Sequence, residues 1–173
     1  MNFKKIGVIG GGTMGQGIAE MLAAKGLDVM LVEKTAERLN YSYEMIETSL
    51  DKQLEKWAIT QAEKEADSVP HPKKVTHFAE LSSCDMVIET IVEDLEAKQK
   101  VFNQLDQVCP SHIILASNTS TLSLTELASS TMYPERVIGM HFIHPVGKVD
   151  LVEIVRGLKT SDSTFEDTKS LCR

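Results

Sequence analysis

The sequence predicts an α/β domain on a doubly wound, mostly parallel sheet, and three observations carry that reading. Short apolar runs suited to buried strands recur along the chain. Helical patterns separate most of them, as in βαβ units. The first run also opens directly into a glycine-rich turn, Gly10-Gly11-Gly12-Thr13-Met14-Gly15. At 173 residues with 42% hydrophobic content, the chain can bury one sizeable core, and two domains would be a squeeze.

Ile6–Ile9 is the first strand, and a helix is expected to follow the glycine turn before the second strand, Val29–Val32. Between Thr35 and Asp67 the chain turns polar, but Leu39, Tyr43, Ile46, Leu50 and Leu54 recur at steps of three or four, which marks one face of a long helix. Thr60 as N-cap with Glu63 three residues on starts a companion helix to Asp67, so a helical hairpin insertion is expected after the second strand. Its lysines Lys52, Lys56 and Lys64 are suited to an anionic substrate tail. Val69-Pro70-His71-Pro72 breaks helix and returns the chain to the sheet. The remaining strands are Val75–His77, Met86–Ile91, Ile113–Ala116, Val137–His141 and Leu151–Val155. The cluster Thr160-Ser161-Asp162-Ser163-Thr164 has the chemistry of a helix cap.

A net charge of −7 argues against nucleic acid as a partner, because counterion displacement needs clustered Lys and Arg. Cys84, Cys109 and Cys172 are odd in number and lack C-x-x-C spacing, which points to neither a disulfide framework nor a thiolate metal site. Met1-Asn2-Phe3-Lys4-Lys5 leads straight into the first strand without a signal-like apolar segment, and no run is long enough to span a membrane. A cytoplasmic, soluble protein is expected.

The glycine turn and its flanks have the layout of a Rossmann-type dinucleotide-binding unit. Gly10 permits a tight turn, Gly12 lets backbone approach a pyrophosphate, and Gly15 lets the helix pack closely, so Gly10, Gly12, Thr13, Met14 and Gly15 form the candidate phosphate cradle. Glu33 lies 23 residues after Gly10, where an acid accepts hydrogen bonds from ribose hydroxyls. No Arg follows it to hold a 2′-phosphate, which favours NAD over NADP.

Ligands of open α/β sheets sit beyond the carboxyl ends of the strands, and three such ends are polar here: Glu89 with Glu93, Ser117 to Ser120, and His141. His141-x-x-His144 lacks a nearby carboxylate or Cys partner and is followed by Pro145, so no metal is expected. Glu153 lies inside the apolar run Leu151–Val155, where an acid is costly to bury unless paired. An imidazole such as His141 would pair with it, fixing the tautomer and leaving the other ring nitrogen to take a proton.

At these residues the chain resembles the NAD-binding domain of the L-3-hydroxyacyl-CoA dehydrogenase family. The matching segments run from Ile6 to Ala19, from Val87 to Lys98, from Ala116 to Ser120, and from Gly139-Met140-His141-Phe142 through Leu151-Val152-Glu153, in the family's order. The resemblance implies that His141 is the general base for the 3-hydroxyl, Glu153 its orienting carboxylate, and Ser120 the hydroxyl that binds the reacting oxygen and touches the cofactor. It also implies that Glu93 and Lys98 line the NAD site, that Glu33 meets the ribose, and that the helical hairpin supports an acyl-CoA substrate. His144 stands where the family usually has Asn, a cofactor-binding position, and the change bears on the nicotinamide contact and on substrate range. The chain ends before the family's Gly-Phe-Ile-x-Asn-Arg segment, so residues 1–173 are expected to be the NAD-binding domain without the helical C-terminal domain through which the full-length protein would form a homodimer. The expected activity is the NAD-dependent interconversion of 3-hydroxyacyl-CoA and 3-ketoacyl-CoA, as in fatty-acid β-oxidation. The alternatives are a related 3-hydroxy acid dehydrogenase of the gulonate or carnitine type, and a non-catalytic NAD-binding fragment.

Overall fold

A computed structural model describes residues 3–57 and 72–173, the side chains of residues 53–57 excepted. Seven strands form one sheet: β1 (Lys5–Ile9), β2 (Asp28–Val32), β3 (Lys73–Val75), β4 (Met86–Glu89), β5 (Ile114–Ser117), β6 (Val137–Phe142) and β7 (Val152–Arg156). Their spatial order is β3-β2-β1-β4-β5-β6-β7. All neighbours are parallel except β6 and β7. The helices among the described residues are α1 (Thr13–Ala24), α2 (Ala36–Trp57), α3 (Leu95–Val108), α4 (Leu124–Ala128) and α5 (Asp162–Leu171), with short 3-10 turns at Phe78–Ser83 and Pro134–Arg136.

The strands are apolar on both faces because helices cover both, and successive side chains serve opposite layers. Ile6, Val8, Val29, Leu31, Met86 and Ile88 pack on one side with Ile18 and Leu22 of α1 and with Leu39 and Ile46 of α2. Ile9, Met30, Val32, Val87 and Leu115 pack on the other with Phe102 and Leu105 of α3 and Leu127 of α4. Each fully buried side chain of this size contributes about 1.5–3 kcal/mol relative to exposure.

Leu39, Tyr43, Ile46 and Leu50 line the core-facing side of α2, as their spacing predicts. Leu54, the companion helix expected at 60–67 and the Pro70–Pro72 break before Pro72 itself lie outside the described residues or side chains. β3 ends at Val75 rather than starting there, and β4 stops at Glu89 rather than Ile91. Leu151–Val155 is a strand, shifted by one residue, and it runs antiparallel to β6. The cap cluster works as predicted: Ser161 Oγ accepts the Thr164 N–H at 3.1 Å and starts α5.

Candidate active site

The strand order reverses between β1 and β4, and the glycine turn stands at that switch point, where a nucleotide is received in such sheets. Gly10 sits at φ +96°, a conformation that favours glycine, and a Cβ on Gly15 would lie 1.7 Å from the Gly10 carbonyl oxygen. A Cβ on Gly12 would meet nothing within 4 Å. The space beside Gly12 is therefore open to a ligand rather than filled by protein. Gly12 is also the N-cap of α1, with no side-chain cap and no acid in the first turn, so the positive end of the helix is left for an anion.

Glu33 follows β2 and turns back onto this loop, its Oε1 accepting the Gly11 N–H at 2.7 Å and its Oε2 the Lys34 N–H at 2.9 Å. Arg38 corrects the reading that no arginine follows Glu33, because from the first turn of α2 its Nε comes within 3.7 Å of Glu33 Oε2. Its side chain is exposed, so the contact is worth little by itself. A cleft of about 590 Å³ opens here between Gly12, Thr13, Glu33, Arg38 and Tyr41. The half-buried Met14 side chain packs against the core beside this turn. Two residues not singled out from sequence hold the loop. Ser42 Oγ donates to the Gly11 carbonyl at 2.8 Å and Gln16 Nε2 at 2.7 Å.

At the ends of β4 and β5 a polar network surrounds two acids. Glu89 is 0% exposed and Lys98 1%, with Lys98 Nζ 2.7 Å from Glu89 Oε1 and 3.4 Å from Glu93 Oε2. Lys98, which the resemblance puts along the cofactor site, is buried here and bridges the two acids. Burial raises the Glu89 carboxyl above its ordinary value, opposed by Lys98 and by hydrogen bonds from Ser117 and Ile91. Partial burial acts in the same direction on Glu93, but the Thr119 hydroxyl, Lys98 and Thr121 outweigh it and hold Glu93 below the usual carboxylate range. Glu93 Oε1 accepts from the Thr119 hydroxyl and from the amides of Ser120 at 3.2 Å and Thr121 at 3.3 Å. Ser120 is thus presented, exposed, by a turn clamped to Glu93.

β6 and β7 bring His141 and Glu153 together. His141 and Glu153 are directly opposite in the antiparallel register, and His141 Nδ1 lies 2.6 Å from Glu153 Oε2. Closely opposed side chains of this kind are what an antiparallel ladder supplies. His141 is 26% exposed and Glu153 56%, so the other face of the imidazole is reachable. The Phe142 N–H donates to Asn118 Oδ1 at 2.8 Å, which ties the His141 strand to the Ser120 turn. His144, three residues on, is exposed and borders a second cleft of about 810 Å³ with Gln16, Ser49, Lys52 and Lys148. Of the lysines suited to an anionic tail, Lys52 reaches this cleft; the side chains of Lys56 and Lys64 lie outside the described ones.

The family model for the 3-hydroxyacyl-CoA dehydrogenase NAD-binding domain matches residues 5–173. The chain belongs to this family. It is 43% identical over 166 residues to the 3-hydroxybutyryl-CoA dehydrogenase of Bradyrhizobium diazoefficiens, which covers 96% of this chain and 56% of that protein. It is 41% identical to the enzyme of the same name from Clostridioides difficile, covering 98% of this chain and 60% of that one. The crystal structure of (S)-3-hydroxybutyryl-CoA dehydrogenase from Ralstonia eutropha superposes with a TM-score of 0.92 at 37% identity, covering 99% of this chain and 60% of that one. The 3-hydroxyacyl-CoA dehydrogenase domain thus spans little more than half the length of these relatives. NAD is the cofactor of this family domain, and the open Gly12 cradle, the uncapped α1 terminus and Glu33 fit its diphosphate and ribose. Among the described residues no helix is long and apolar enough to cross a membrane.

Proposed function

We propose that the chain carries the cofactor-binding and proton-transfer half of an NAD-dependent 3-hydroxyacyl-CoA dehydrogenase acting on short acyl chains such as 3-hydroxybutyryl-CoA. The observation that carries the reading is the 2.6 Å His141–Glu153 pair on the same sheet edge as the Gly12 cradle. NAD, when bound, supplies the acceptor for the hydride that leaves C3. Glu153 holds the Nδ1 side of His141 and stabilises the imidazolium, leaving Nε2 to take the proton of the 3-hydroxyl. The Ser120 hydroxyl donates to the same substrate oxygen and keeps it in line with His141. Glu93 and Lys98 hold the turn from which Ser120 acts. The cleft between α1, α2 and the His144 loop, with Lys52 and Lys148 at its edge, receives the CoA portion.

In this reading residues 1–173 form the NAD-binding domain, and a helical domain like that of the family completes the substrate pocket and the homodimer. The proposed setting is the cytoplasm, in keeping with three free thiols. His144 favours a second reading, a 3-hydroxy acid dehydrogenase of the gulonate or carnitine type, because it alters a position beside the substrate. Turnover by the full-length enzyme decides between them. NADH oxidation is expected with acetoacetyl-CoA, and none of the free 3-hydroxy acids should reduce NAD; efficient oxidation of a free acid would replace the first reading with the second.

A further inference from the structure

The hydrogen bonds at the ends of β4 and β5 close into a ring. Lys98 joins Glu89 to Glu93, Glu93 accepts from the Thr119 hydroxyl, the Thr119 N–H reaches Ser117 Oγ at 3.3 Å, and the Ser117 hydroxyl donates to Glu89 Oε2 at 2.7 Å. Glu89 Oε1 takes the Lys98 ammonium at 2.7 Å and the Ile91 N–H at 2.6 Å, so both of its oxygens are occupied by donors, the arrangement of an ionised carboxylate. Two carboxylates thus share one ammonium, and the ring keeps one negative charge. Glu89 and Lys98 are almost wholly removed from solvent, which leaves that charge less screened than a surface pair.

The position of the ring gives the charge a consequence. Asn118, in the clamped turn, holds the Phe142 N–H next to His141, so the ring borders the edge where His141 meets the substrate hydroxyl. Proton and hydride leave the same C3–O group, and the redox end of the cofactor must therefore come to this edge. The oxidised nicotinamide is cationic and the reduced one is neutral. We propose that the Glu89–Lys98–Glu93 ring, anchored by buried Glu89, is a specificity element that favours the oxidised over the reduced form of NAD. The inference rests on the dehydrogenase reading. Glu89 acts through charge and through Lys98 rather than by touching the cofactor.

Dissociation constants of the 173-residue chain for NAD+ and for NADH, from calorimetry and nicotinamide fluorescence, test it. Glu89→Gln keeps the shape and the Ser117 and Ile91 partners but removes the charge. It should weaken NAD+ relative to NADH by about 5- to 10-fold, the order of effect of one unit charge acting through a largely screened site. Glu89→Asp, which keeps the charge, should leave the ratio near the parent value. An unchanged ratio in Glu89→Gln, or an equal loss for both forms, would overturn the proposal. If Glu89→Gln does not fold, Glu93→Gln removes the same charge from the half-exposed end of the ring and the ratio is read there. A parent chain that binds neither form would count against the dehydrogenase reading itself, whereas binding of both with an unaltered ratio would remove only this inference.

Discussion

His141 shows how one residue acquires a role from its surroundings. A histidine at a strand end can be no more than a hydrogen-bonded surface group, but the 2.6 Å contact with Glu153 fixes which nitrogen carries the proton and which can accept one. His141→Gln should therefore lower turnover of the full-length enzyme by roughly two to four orders of magnitude while NADH affinity stays nearly intact. Steady-state kinetics with a parallel fluorescence titration check it, and an equal loss of both would make the histidine structural. Glu93 shows the opposite economy. It contributes by collecting the hydroxyls and amides of Thr119, Ser120 and Thr121 at one oxygen.

At the scale of elements, the junction of β1, the glycine turn and α1 separates two reasons for conserving space. Gly15 is required by the protein, because a Cβ there would drive into the Gly10 carbonyl; Gly12 has no such neighbour. Gly15→Ala should lower the melting temperature, with a cost of about 1–3 kcal/mol or more from overpacking. Gly12→Ala should melt within a degree or two of the parent and yet bind NADH at least tenfold more weakly, since its methyl group would stand where the diphosphate approaches. Calorimetric melting with and without NADH distinguishes the pair. The β6–β7 ladder is the other decisive junction. Only nine residues, 143–151, join the two strands, too few for a helical crossover, and this favours the antiparallel turn that sets His141 opposite Glu153.

For the whole molecule, acid stability reports on the clamp at the sheet edge. Glu93 titrates below its ordinary value near 4.5, so its contribution is fully present above that value in the unfolded chain and is lost as pH falls through the lower folded value. The melting-temperature difference between the parent and Glu93→Gln should thus be largest near neutrality and shrink below about pH 4.5, with the two converging in strong acid; a difference that stays constant with pH would assign the clamp to shape rather than charge. The sequence by itself determined the doubly wound α/β plan, the cradle of Gly10, Gly12 and Gly15, the acid Glu33 and the strand-end positions of Ser120 and His141. Those features are local, written in alternating apolar runs, in residues tolerant of a positive φ, and in acids or hydroxyls just past a strand. Only the tertiary structure decided that Glu33 accepts the Gly11 N–H, that Ser42 pins the Gly11 carbonyl and that the Thr90 hydroxyl reaches Gly10. These depend on strand order and helix placement, which join groups 22 to 31 residues apart across the glycine loop, and about 80 where Thr90 meets Gly10, and no local periodicity encodes such partners.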